Sequence, residues 1–282
     1  MAELIQKAVE WGKLSAKFKK QWGSVDNLDP TRWVAQPKYD GCHVIIDTDS
    51  GRVFSRANED VRSMDHILDM LPKGYVFQGE AYIRNTPFKD ISGAFRRHAN
   101  QPQLKAVLYD LHRPDEFYNG LNETQYHARH SELFGLLRNV PGFGWVATNL
   151  NMPGITHSEL AARYVAAGGY DGLILRDTLS YWEAGLAREG QIIKVKPSVS
   201  LDLRVEEVLK ATGEKTGRDV FTLLVSYRGV KTTVGSGVPH KEEDLPLPGQ
   251  IVEVECMAVN TNNTLREPRF KGIRYDKTEP DR

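Results

Sequence analysis

Residues 33–47 read WVAQPKYDGCHVIID, two strand-like runs around the tetrapeptide Lys38-Tyr39-Asp40-Gly41. β-Branched and aromatic side chains on both flanks favour extended backbone. A lysine followed by a glycine turn is presented rigidly at a strand end. Taken alone, the same four residues are an ordinary surface turn, because short motifs recur by chance.

Working outward, HVIID (43–47) and RVFSR (52–56) flank Thr48-Asp49-Ser50-Gly51, which predicts a hairpin. YVFQGEAYI (75–83), KAVLYDLH (105–112), GLILR (172–176) and IIKVK (192–196) read as further strands. RSMDHILDML (62–71), SELFGLLRNV (131–140) and THSELAARYVAAGG (156–169) read as helices. In the last, Thr156 and Glu159 have capping-box spacing, and Gly168-Gly169 supplies a stop. Residues 1–28 predict one short helix carrying Lys13, Lys17, Lys19 and Lys20. Strands and helices mix without strict alternation, which gives an α+β class rather than a doubly wound sheet. Beyond Pro197 the texture changes. LRVEEVL, DVFTLLVSY, VKTTVG and QIVEVECMAV are strand-like and separated by turns, which suits a small all-β barrel of the OB type. The expected domains are 1–200 and 201–282.

Composition narrows the options. The chain has 282 residues, 40% of them hydrophobic and 26% charged, with a formal net charge of zero. Any surface for a polyanion must therefore be local. Two cysteines, Cys42 and Cys256, exclude a disulfide framework and a CxxC zinc site. No secretion signal or membrane-length apolar run is present, so the expectation is a soluble cytoplasmic protein without a membrane partner.

Behind Lys38 comes an ordered series: Ser55-Arg56, Glu80, Tyr109-Asp110, Asp171-Gly172, and Lys194 with Lys196. Individually each is bland. A carboxylate on a strand usually faces solvent, an aromatic at a strand end is usually core, and two lysines at period two make a basic face. In this order they resemble the covalent nucleotidyltransferase superfamily of ATP-dependent DNA ligases, RNA ligases and capping enzymes. The tail LREPRFKGIRYDK (265–277) carries Arg266, Arg269, Lys271, Arg274 and Lys277 against Glu267 and Asp276, and it resembles the closing motif of the DNA ligase barrel.

The resemblance implies an adenylation (nucleotidyltransferase) domain followed by an OB-fold domain, and a minimal ATP-dependent DNA ligase without a separate N-terminal DNA-binding domain. It implies a monomer acting on nicked duplex DNA in replication, repair or recombination. It assigns Lys38 as the nucleophile that takes AMP from ATP. Arg56, Glu80, Tyr109, Lys194 and Lys196 become nucleotide contacts, with the Tyr109 ring on adenine. Glu80 and Asp171 become ligands for Mg²⁺ or Mn²⁺, Asp171 standing where Glu is more frequent. Arg269, Lys271 and Arg274 become pyrophosphate contacts.

The chemistry has a physical requirement. A lysine amine attacks phosphorus only when deprotonated, whereas its reference pKa is about 10.4. A surround of cations, Lys194, Lys196 and Arg56 with a metal, would favour the neutral amine. One departure stands out: His43 occupies the place where many relatives have Arg, and a protonated or suitably oriented His could still donate to ribose or phosphate. The rivals are an RNA ligase or guanylyltransferase, separable by nucleotide and strand preference, and a non-catalytic nucleic-acid-binding module, which would form no covalent AMP. The basic N-terminal stretch beside Trp11, Phe18 and Trp22 is read either as a grip on DNA phosphates or as a solvated helix.

Overall fold

The computed structural model describes residues 4–140, 146–150, 152–212, 219–260 and 262–281. Two compact units divide at Lys196/Pro197. The strand Val199–Thr212 runs through the 200/201 boundary expected from sequence, which is why the break falls earlier.

The first unit is built on two four-stranded sheets. Its main strands are β1 (Trp33–Tyr39), β2 (Cys42–Asp47), β3 (Arg52–Ser55), β4 (Val76–Tyr82), β5 (Lys105–His112), β6 (Tyr170–Asp177) and β7 (Ile192–Val195). One sheet runs Val9–Glu10, β7, β6, β1; the other runs β3, β2, β4, β5. The predicted hairpin is present as β2 and β3, paired antiparallel from Val44–Ser55 to Asp47–Arg52. Alternation along β2 sends Val44 and Ile46 into a large apolar cluster with Phe77, Leu108 and Leu133, and Ile45 into a second with Phe54, Phe117 and Trp182. Trp33 and Trp182 are both core residues, each 1% exposed.

Three helices matter for the site: α1 (Ala16–Trp22), α2 (Tyr126–Leu137) and α3 (His157–Ala167). The Thr156 hydroxyl accepts from the Glu159 amide at 3.2 Å, giving half of the expected capping box. The Glu159 carboxylate turns instead to Arg163. Gly168 closes α3 at φ 80°. The segment Arg62–Met70, read from sequence as a helix, is a run of 3₁₀ turns. Among the described residues no helix is long and apolar enough to cross a membrane.

Two bulges in these sheets position the residues singled out from the sequence. Between β1 and β6, Pro37 pairs with Leu173 and Tyr39 with Tyr170. One residue on β1, Lys38, therefore faces two on β6, Asp171 and Gly172. Between β4 and β5, Gln78 pairs with Asp110 and Gly79 with Leu108, so Tyr109 is the extra residue. A bulge re-aims the side chain it holds.

Both glycines of the sequence motifs are sterically required. A Cβ on Gly41 would lie 2.3 Å from the Ala81 carbonyl oxygen. On Gly172, at φ 122°, it would lie 2.1 Å from the Val195 carbonyl oxygen.

The second unit is a five-stranded antiparallel sheet: β8 (Val199–Thr212), β9 (Asp219–Tyr227), β10 (Val230–Val234), β11 (Ile251–Cys256) and β12 (Arg269–Ile273), in the order β10, β9, β8, β11, β12. Leu203, Val205, Leu223, Val225 and Val252 fill its apolar face. The expected barrel is an open sheet among the described residues. A lone parallel bridge from Ser236 to Arg269 links its edges, consistent with an OB-type domain.

Candidate active site

Lys38 lies where the β1–β6 bulge meets the turn into β2. Its ammonium is 2.5 Å from Asp171 Oδ2, and the Lys196 ammonium reaches the same oxygen at 3.2 Å. The expected cations Lys194 and Lys196 are thus joined by a carboxylate that pairs directly with Lys38. Burial alone raises the Asp171 carboxyl, but the Lys38 charge and hydrogen bond, joined by Lys196, outweigh it and hold the group below its ordinary value. Lys194 is shifted down, first by burial and then by Lys38, Lys196 and Lys13, with Glu10 opposing.

A cavity of about 310 Å³ opens beside Lys38. Its wall includes Lys38, His43, Arg56, Glu80, Tyr109 and Lys194, so six of the residues chosen from sequence converge. Asp171 joins them through Lys38, and Lys196 through Asp171. Glu80 pairs in register with His43 across β2 and β4. Burial pushes the Glu80 carboxyl up to about 7, against the lowering pull of Lys38 and Arg56.

Of the two forms expected for His43, protonated or suitably oriented, the surroundings favour the neutral ring. Burial, then the charges of Arg56 and Arg176, hold its ring down at about 3. It is neutral at physiological pH and supplies no cation in place of arginine. Its Nδ1 is buried without a hydrogen-bond partner.

Tyr109 is fixed from several sides. The Arg176 guanidinium lies 4.5 Å from the ring centre, a cation–π distance. Arg176 Nε donates to Gln36 Oε1 at 3.0 Å, Gln36 donates to Tyr126 Oη at 2.8 Å, and Tyr126 donates to the Tyr109 carbonyl at 3.1 Å. Burial moves the Tyr109 phenol far up, so it stays protonated. Its neighbour Asp110 is structural. Arg129 clamps it with bonds of 2.7 and 2.9 Å. Burial raises the Asp110 carboxyl, but Arg129 and His112 prevail and hold it at about 2. Sequence reading missed Arg176 and Gln36. The signal available was a charged residue closing the apolar run GLILR.

Arg269, Lys271 and Arg274 lie in the second unit. Arg274 binds Asp202 at 3.0 Å and Asp276 at 2.8 Å, Lys271 reaches Glu255 at 3.3 Å, and Arg269 donates to Ser236 at 3.3 Å. Lys277 also bonds to Asp202. In the N-terminal stretch, Phe18 is buried and Trp11 and Trp22 pack against the same apolar cluster. Lys13 separates from Lys17, Lys19 and Lys20 by lining the cavity.

A model of the ATP-dependent DNA ligase domain matches residues 13–196, most of the chain and nearly all of the first unit. The chain belongs to the ATP-dependent DNA ligase family. It is a ligase, and ATP is the nucleotide its family uses. No curated protein sequence matches it. Among solved structures, a Lig E DNA ligase described as binding DNA with a minimal scaffold superposes with a TM-score of 0.70 at 20% identity, covering 96% of this chain and 98% of that one. The bacteriophage T7 ATP-dependent DNA ligase in complex with ATP gives 0.55 at 16% identity, covering 96% and 99%. The Chlorella virus DNA ligase-adenylate gives 0.50 at 17%, covering 97% and 99%. At these identities the likeness is one of fold.

Glu80 and Asp171 would offer a divalent metal oxygen donors. No cluster of three or more His, Cys, Asp or Glu suited to a metal occurs among the described residues. Glu80 and Asp171 are within electrostatic reach of each other. Two carboxylates fit Mg²⁺ or Mn²⁺ when phosphate and water oxygens complete the shell. A buried carboxyl pushed up to about 7 is a group that an added cation would return to its charged form.

Proposed function

We propose that this ligase seals 5′-phosphate/3′-hydroxyl nicks in duplex DNA by way of AMP carried on Lys38. The observation that carries this reading is the convergence of Lys38, Glu80, Tyr109 and Lys194 on one cavity, with Asp171 tied to Lys38 and Lys196 to Asp171.

In the first step the Lys38 amine leaves its ion pair with Asp171, releases a proton to water and attacks the α-phosphorus of ATP. The N–P bond forms as the bond from that phosphorus to the bridging oxygen breaks, and pyrophosphate departs. Arg56, Lys194 and Lys196 offset the phosphate charge, and Tyr109, braced by Arg176, takes the adenine face. Glu80 and Asp171 would hold Mg²⁺ or Mn²⁺, which neutralises phosphate charge when bound. In the second step AMP passes from Lys38 to the 5′-phosphate of the nick. In the third the 3′-hydroxyl displaces AMP, closing the strand. Catalysis rests on position and charge rather than on new covalent partners beyond Lys38. The basic tail with Arg269, Lys271 and Arg274 serves the pyrophosphate of ATP during the first step. The free thiols of Cys42 and Cys256 suit a reducing compartment, and the cytoplasm is the proposed place of action.

Incubation with α-labelled ATP tests the first step. Labelled protein is expected from the wild type and none from Lys38→Ala. Sealing of a 5′-phosphorylated DNA nick with ATP, GTP or NAD supplied separately, and of the matching RNA nick, tests the substrate. Sealing confined to GTP or to RNA would replace the DNA ligase reading with one of its rivals.

A further inference from the structure

The adenylation reading accounts for the cations of the motif series but not for Lys13, which comes from outside it. Lys13 ends a short turn, Trp11–Lys13, that follows the strand Val9–Glu10. That strand pairs in parallel with β7, Val9 opposite Ile193 and Glu10 opposite Lys194. The pairing carries the chain past Lys194 and sets Lys13 in the wall of the same cavity as Lys38. Phe18 and Leu14, both buried in the core beneath, fix the turn.

The position within the cavity can be read from charge. The side chains acting most strongly on Tyr109 are Glu80, Arg176, Arg56 and Asp110. Those acting on Glu80 are Lys38, Arg56, Asp40 and Asp171. Lys13 also acts on Lys194, after Glu10, Lys38 and Lys196. The pairing of Glu10 with Lys194, three residues before Lys13, sets it at the lysine end of the cavity. Lys17 and Lys20 are exposed on α1, and Lys19 donates to the Gly12 carbonyl at 3.1 Å; none of the three lines the cavity.

We infer that Lys13 binds the β- and γ-phosphates of the incoming nucleotide, as a contact supplied by the N-terminal segment. The inference rests on the adenylation reading for the direction of the nucleotide: base at Tyr109, α-phosphorus at Lys38, the remaining phosphates beyond it. A DNA phosphate presents the same chemistry, so the test separates the two sources.

Equilibrium binding of ATP and of AMP is measured for the wild type, Lys13→Ala and Lys13→Arg, alongside binding of nicked duplex and sealing of a nick that already carries 5′-AMP. Lys13→Ala is expected to weaken ATP binding by about tenfold or more, the loss of a charge-assisted bond. AMP binding, DNA binding and sealing of the pre-adenylated nick stay at wild-type values, and Lys13→Arg restores ATP. Unchanged ATP binding, an equal loss for ATP and AMP, or a loss confined to DNA each overturns the assignment. Label incorporation by the wild type is run in parallel. Its absence would overturn the proposed reaction, while the comparison of ATP with AMP still decides Lys13.

Discussion

Gly172→Ala tests whether the bulge places the site. The methyl group would meet the Val195 carbonyl oxygen at 2.1 Å and the Lys196 Cα at 3.2 Å. Both belong to backbone, which cannot swing aside as a side chain can. The residue also sits at φ 122°, where L side chains rarely go. Such a conformation costs about 1–3 kcal/mol, and overpacking adds roughly 1–3 kcal/mol. The sum, about 2–6 kcal/mol, is a large share of the 5–15 kcal/mol typical of a folded protein. At about 2–4 °C per kcal/mol for a unit of this size, the melting temperature should fall by roughly 4–24 °C.

Relief of the overlap must part β6 from β7, and that shifts Asp171 against Lys38 and Lys196. Labelling with α-labelled ATP, measured well below the melting point, should therefore fall as well. Gly51→Ala is the control: it shares a positive φ, 67°, but has nothing within 4 Å. It should melt only slightly lower than wild type and label normally. A Gly172→Ala protein that melts with the wild type and labels at the same rate would refute the reasoning.

Three further outcomes follow from the geometry. The native Glu80 carboxyl titrates at about 7, above its ordinary 4.5, so the folded state holds a proton that the unfolded chain releases. Its contribution is present below pH 4.5 and lost as pH rises through 7. Denaturant titrations of wild type and Glu80→Gln should therefore diverge by roughly 3 kcal/mol across that window, at about 1.4 kcal/mol per pH unit, and parallel curves would contradict the burial argument. Arg129→Met leaves the 1%-exposed Asp110 side chain without its clamp and should cost about 3–5 kcal/mol by chemical denaturation; a loss below about 1 kcal/mol would mean Arg176 and His112 suffice. Tyr109→Ala should raise the ATP concentration needed for half-maximal labelling by about five- to hundredfold, the range expected for a lost stacking ring, with Tyr109→Phe near wild type because the protonated hydroxyl is not the contact; equal behaviour of all three would make the ring structural.

Much of the chain was legible before any coordinates. β-Branched runs located the strands of both units, and Thr156 and Gly168 bracketed α3. These readings succeed because propensity, capping and alternation act within a few residues. Tertiary structure decided what depends on partners far along the chain. The Lys38–Asp171 ion pair spans 133 residues. It exists because one residue of β1 faces two of β6, a register that no local pattern encodes. The same applies to Tyr109, itself the unmatched residue between β4 and β5 and part of the cavity wall. Burial, too, is a property of the assembled sheets. It makes His43 neutral where the sequence allowed a cation, lifts Glu80 toward neutrality, and encloses Arg176 against Tyr109. Lys13 reaches the cavity only because a two-residue strand pairs beside Lys194. The sequence by itself determined which chemical groups are available and on which elements they lie; strand register and desolvation, both set by long-range packing, decided which groups meet and in what charge state.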